Sequence, residues 1–169
     1  MPPSACHSPR VFSFHCRRRR RHHINGQSIG EIGIEGCYAG HWGVPVILVH
    51  GDEAVCKEAA ARFPGVVTAP VKHTENNPDV CTGLDAQAAH AFVAERVAEA
   101  IRKVQSATEK PAPYKPSLPM RVALRMASDR AADAVAKKPG VRRIDAYTVG
   151  CEVQRQGDVI KWLTGDGLQ

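Results

Sequence analysis

The stretch "VPVILVHGDEAVCKEAAARFPGVVTAPVK", residues 44–72, holds a strand, a helix and a strand in succession. "VPVILVHG" (44–51) is a continuous apolar run of the kind found in central parallel strands, which are covered on both faces. Asp52 follows where a helix needs an N-cap, a side-chain oxygen that accepts from an otherwise orphaned backbone N–H. "EAVCKEAAARF" is alanine-rich and is stopped by Pro64-Gly65. "VVTAPVK" (66–72) then restarts an extended run. This unit predicts an α/β fold.

Toward the C-terminus the alternation continues. "HTENNPDVCTG" (73–83) is a polar loop. From Asp85 to about Gln105 the apolar positions Ala89, Phe92, Val93, Val97, Ile101 and Val104 recur at three and four, the spacing of one helix face. Glu99 and Lys103 on that helix are spaced for an i,i+4 ion pair. "SATEKPAPYKPSLP" (106–119) is a Pro-rich connector, too rich in proline for a helix. A strand at 120–127, a helix at 128–138 and a strand at 142–154 follow, and "DVIKWLTG" begins a further helix. The whole predicts a mostly parallel or mixed sheet with flanking helices.

Toward the N-terminus, "INGQSIG" (24–30) carries the Asn-Gly signal of a two-residue hairpin turn. Glu31 then opens a helix, "EIGIEGCYAGHWG" (31–43), whose expected apolar face is Ile32, Ile34, Cys37, Tyr38 and Trp42. Gly33, Gly36 and Gly40 each cost that helix about 1 kcal/mol relative to alanine. Such density predicts close backbone packing or a site that something approaches. As a carboxylate in a first turn, Glu31 is favoured by the helix dipole whatever else it does.

Charge is confined to one end. The chain of 169 residues has a formal net charge of +6, but residues 1–23 hold six arginines (Arg10 and Arg17 to Arg21) and no acid. The remainder carries 17 basic and 17 acidic residues. The body is therefore not a basic domain, and a nucleic-acid partner is not expected. Residues 1–23 have no hydrophobic period, and their Arg, Pro, His and Cys are what GC-rich codons give out of frame. This segment is expected to be disordered or foreign to the fold. No apolar run approaches the roughly 18 residues of a membrane span, and the N-terminus lacks the pattern of a secretory signal. The six cysteines, at 6, 16, 37, 56, 81 and 151, form no CxxC pair. They read as thiols of a reducing cytoplasm rather than a disulfide scaffold.

The run "INGQSIGEIGIEGCYAGHWGVPVILVHGDEAVCKEAAARFPGVVTAPVK" (24–72) resembles the zinc-dependent D-aminopeptidases of bacteria. The shared pattern is an "ING" turn, "GEIG", a small-residue helix, a "GVPV" strand, a "GDD" variant, and a helix leading to "PG" and "VK". Residues 120 to about 162 are similar more loosely. The resemblance implies a C-terminal part of such a domain over residues 24–169, an incomplete one. It also implies two zinc ions activating water for attack on a peptide carbonyl, with release of N-terminal D-amino acids from short peptides. Two metals in one site stabilise the attacking and developing oxygens together. The glutamate of "GEIG" is a zinc ligand in that family, which makes Glu31 the expected metal ligand here. The family also forms ring-shaped oligomers, so homo-oligomerisation is a further implication.

The departures are specific. The family's other ligands are an Asp-x-Glu pair and two histidines, and a catalytic histidine precedes the "ING" turn. No acid precedes Glu31 here, and His15, His22 and His23 stand in sequence that does not match, so no role passes to them. One carboxylate does not hold a zinc that takes four ligands, and the chain by itself is expected to be inactive. The alternative is a non-catalytic binding or assembly protein that uses the Arg/His arm for an anionic partner. Asp52 and Glu53 follow a strand's C-terminal end, where α/β proteins place ligands, but helix capping accounts for Asp52. His41, His50, His73 and His90 have no mutual spacing that makes a site. Cys37 and Cys151 are read as packing residues.

Overall fold

The computed structural model describes residues 22–74 and 81–159. In chain order its elements are β1 (His22–Ile24), β2 (Gln27–Ile29), α1 (Glu31–His41), β3 (Leu48–Asp52), α2 (Glu53–Arg62), β4 (Val67–Thr74), β5 (Cys81–Gly83), α3 (Ala86–Ser106), β6 (Met120–Arg125), α4 (Asp129–Ala136), β7 (Arg142–Arg143) and β8 (Thr148–Val153). The described residues form two compact units, one within 45–112 and the other built from 22–44 with 113–159. The helix expected from "DVIKWLTG" lies largely outside the described residues.

The first unit contains the strand–helix–strand found within residues 44–72. β3 and β4 are parallel, with α2 as the crossover, and β5 adds an antiparallel strand in the order β3-β4-β5. Asp52 caps α2 as expected, accepting from Val55 N–H at 2.8 Å. Asp85 does the same for α3, accepting from Ala88 N–H at 2.8 Å. The apolar run at 44–51 departs from expectation. The strand begins only at Leu48, lies at the sheet edge and is half-buried, with His50 exposed. Pro45 has no N–H to give a ladder, and among the described residues only β4 pairs with the run, so there it stands as an edge strand.

α3 also turns differently from its pattern. Val97 and Ile101 are exposed, and the buried position is Ala100. Arg96 donates from Nε to the Thr68 carbonyl of β4 at 3.0 Å and pairs with Glu99. Lys103 donates to the Gly65 carbonyl at 2.7 Å, so it anchors the α2–β4 turn instead of pairing with Glu99. The polar loop at 73–83 likewise ends in β5, paired to β4 through Lys72↔Gly83.

The second unit is a five-stranded, wholly antiparallel sheet, ordered β2-β1-β6-β8-β7. Among the described residues parallel pairing is thus confined to β3 and β4. The strand expected at 142–154 is folded back on itself as β7 and β8. Asp145 makes the bend by accepting from Tyr147 N–H at 2.8 Å and Thr148 N–H at 2.9 Å. Along β6, Met120, Val122 and Leu124 are buried while Arg121 and Arg125 are exposed, so one sheet face is the core. That face gathers Ile24, Ile29, Cys37, Ala132, Val149, Val153 and Val159 around them.

The burial of α1 departs from its expected face, of which Cys37 alone is fully inside. Gly33, Gly36, Cys37 and Gly40 are inside, while Tyr38 is 44% and Trp42 68% exposed. Glycines face inward because backbone lies against them. A Cβ on Gly40 would stand 2.0 Å from the Tyr114 carbonyl oxygen and 2.8 Å from Gln156 Nε2. Gly43, by contrast, needs only its φ of +75°, with nothing within 4 Å of a Cβ there.

These two glycines give a matched pair of expected outcomes in urea unfolding. Gly40→Ala forces backbone apart and should destabilise by about 3 kcal/mol or more. Gly43→Ala meets only left-handed backbone strain and should cost about 1 kcal/mol. Equal costs would mean that α1 is not held by backbone contact at Gly40.

Candidate functional site

Glu31 is positioned by a short chain of local rules. Asn25 (φ +51°) and Gly26 (φ +82°) form the two-residue turn between β1 and β2, both with the positive φ that such a hairpin requires. Three residues of β2 then deliver the chain to Gly30, whose extended backbone (φ −84°, ψ −177°) caps α1 without a side chain. Its carbonyl accepts from Gly33 N–H at 3.2 Å and Ile34 N–H at 3.3 Å. Glu31 is therefore the first helical residue, exposed, beside the N–H groups that have no partner within the helix.

Two side chains whose distant partners the sequence did not signal hold this arrangement. Asn25 clamps the hairpin to the strand entering from the connector. Its Nδ2 donates to the Ser117 carbonyl at 3.0 Å and to Ser117 Oγ at 3.1 Å, and its Oδ1 accepts from Arg121 N–H at 2.9 Å. Gln156, only 7% exposed, donates from Nε2 to the Cys37 carbonyl at 2.7 Å and the Tyr114 carbonyl at 2.6 Å. The Asn-Gly pair signalled the turn, but nothing nearby signals partners some 92 or 119 positions away.

The other candidates separate. His22 pairs across from Leu124 and His23 from Ala123, so the adjacent histidines face opposite sides of the sheet. His15 and Cys16 lie outside the described residues. His41 ends α1 with its ring edge-on to Trp42, at 5.2 Å between centroids. Glu53 meets His73 Nδ1 at 2.8 Å on the other unit, and His50 and His90 are exposed. Among the described residues, no three His, Cys, Asp or Glu side chains are grouped as a metal site. They do not fit a complete zinc centre around Glu31.

The thiols support their packing role. Cys37 and Cys56 are buried thiols outside any disulfide, and burial raises the Cys56 pKa above its ordinary value. Burial pushes the Cys151 thiol up to about 11. Neither Cys56 nor Cys151 is a thiolate at neutral pH.

The family profile of the D-aminopeptidases matches residues 9–164. The chain belongs to the D-aminopeptidase family. The match begins within the basic N-terminal segment, ahead of the first described residue. Over 55 residues the chain is 44% identical to the D-aminopeptidase of Bacillus subtilis (strain 168), covering 32% of this chain and 20% of that protein. In structure it is similar to the zinc-dependent D-aminopeptidase DppA from Bacillus subtilis, a self-compartmentalizing protease. The TM-score there is 0.78 and the identity 25%, over 89% of this chain and 54% of that one. The chain therefore spans about half the length of that solved relative. The α/β architecture is shared with it, and none of the described helices is long and apolar enough to cross a membrane.

The Cys151 shift has a chemical consequence for this D-aminopeptidase relative. With its pKa at about 11, Cys151 should react with iodoacetamide at pH 8 at least ~100-fold more slowly than an ordinary exposed thiol, because the thiolate is the nucleophile. Peptide mapping after timed alkylation reads this directly, and rapid labelling of Cys151 in the folded chain would contradict the burial described.

Proposed function

We propose that the chain serves zinc-dependent hydrolysis of short peptides with N-terminal D-amino acids, and that Glu31 is one of the zinc ligands. The observation that carries this reading is the placement of Glu31. The family's "GEIG" glutamate stands exposed at a helix start, fixed from one side by the Asn-Gly hairpin and from the other by glycine-faced packing. Helix capping alone does not require a carboxylate at this position, since the Gly30 carbonyl already receives the first helical bonds.

The described residues give Glu31 no complete ligand set, so no hydrolytic step is assigned to them. Residues 1–23 stand in this reading as a segment without a catalytic role, and residues 24–169 as the part that carries the family scaffold. The chain by itself binds zinc weakly and is inactive or nearly so. Homo-oligomerisation of this chain is part of the same proposal, supported by the self-compartmentalizing character of the similar zinc protease.

Zinc binding and turnover test these points separately. In titrations of the purified chain with zinc, we expect weak binding that Glu31→Gln reduces by about tenfold or more, with little D-alanine released from D-alanyl-D-alanine. Zinc affinity unchanged by Glu31→Gln would overturn the ligand assignment. Tight stoichiometric zinc with full D-alanine release would overturn the incomplete site.

A further inference from the structure

The five-stranded sheet has a second face, opposite the core, and its chemistry is uneven. Register places His23 across from Ala123, Ala123 across from Gly150, and Gly150 across from Arg142, in one row perpendicular to the strands. With neighbouring strands ~4.8 Å apart, His23 and Arg142 stand roughly 14 Å from each other at the backbone. Between them lie only a methyl group and a glycine. Arg121, two residues before Ala123 on β6, projects from the same face.

A cleft on this face is lined by His23, Arg121, Ala123, Arg142, Ile144 and Gly150, and no carboxylate lines it. Gly150 forms its floor of necessity, since a Cβ there would stand 2.7 Å from Ile144 Cδ1 and 2.8 Å from the Val122 carbonyl oxygen. Ile144, 52% exposed, supplies an apolar wall. Among the described residues neither Arg121 nor Arg142 has an ion pair. Glu152, across from Arg121, receives Gln154 Nε2 at 3.0 Å instead. Arg125, further along the face, lies over the Tyr147 ring at 4.8 Å.

We propose that this cleft binds a small oxyanion. Guanidinium groups present paired N–H donors that match carboxylate and phosphate oxygens, and here two of them flank a shallow floor with no internal anion to satisfy them. Ala123 and Gly150 keep the floor low enough for the anion to reach both arginines, and Ile144 accommodates a short apolar body attached to it. The cleft is distinct from the Glu31 region, because α1 packs on the core face through Cys37. The proposal therefore does not rest on the peptidase reading.

The test is an amide NMR titration of the full chain with three probes: N-acetylalanine, its C-terminal amide, and inorganic phosphate. N-acetylalanine has a blocked amine, so aminopeptidase chemistry cannot produce the signal. We expect saturable shifts at Ala123 and Gly150 with an oxyanion and none with the amide. The Arg121→Gln, Arg142→Gln double variant, checked for an unchanged spectral fingerprint elsewhere, should bind at least ~10-fold more weakly. A response to N-acetylalanine alone identifies a carboxylic acid as the ligand class, and a response to phosphate alone identifies a phosphorylated one. No shift with either oxyanion overturns the proposal, as does equal binding by the amide or by the double variant. Self-association that the double variant abolishes, without any oxyanion effect, would make the face a chain–chain interface and also overturn it.

Discussion

One buried side-chain amide ties the second unit together. Gln156 gives both hydrogens of its Nε2 to main-chain carbonyls, one in α1 at Cys37 and one in the connector at Tyr114. It thereby fastens three segments far apart in sequence at a single point inside the protein. A buried amide donor must be satisfied, and a carbonyl that loses such a partner pays a desolvation cost of about 1–3 kcal/mol. Glycine makes the junction possible. With a side chain at position 40 the Tyr114 carbonyl could not approach, and the amide would have nothing to bridge. The glycines of α1 thus exchange intrinsic helix stability for access to backbone.

The rest of the site follows from this constraint. Once α1 lies with Gly33, Gly36, Cys37 and Gly40 inward, its first residue is fixed beside the end of β2 and Glu31 faces solvent. The same orientation turns Tyr38 and Trp42 outward, where they stack edge to face at 6.5 Å. The Asn25 clamp supports the other end of the short hairpin, so the carboxylate is held between two long-range hydrogen-bonded anchors. The ligand role proposed for Glu31 needs such support, because coordination geometry tolerates little displacement.

Much of this architecture was legible in the sequence, and the misses share a cause. The Asn-Gly turn, the Asp52 cap and the strand–helix–strand at 44–72 are local, and local chemistry specifies them. The family resemblance at 24–72 marked Glu31 as the residue of interest. What escaped was set by distant partners. Apolar periodicity assigned Tyr38 and Trp42 to the buried face of α1, because periodicity assumes that helices pack through large side chains. This one packs through their absence. The apolar run at 44–51 read as a central strand, yet among the described residues one neighbour pairs with it. Asp145 folds back what read as one strand at 142–154, and no local pattern marks Gln156, whose partners lie far off in sequence.

The central claim is that the Gln156 amide holds α1, and with it Glu31, in place. Amide hydrogen exchange across α1 in the wild type and in Gln156→Leu tests it most directly, since leucine is of similar size and removes the donor. The account predicts that exchange of the α1 amides accelerates about tenfold or more, while amides of β6 and β8 keep their protection. Unchanged protection in α1, or a uniform loss across the whole unit, would contradict it.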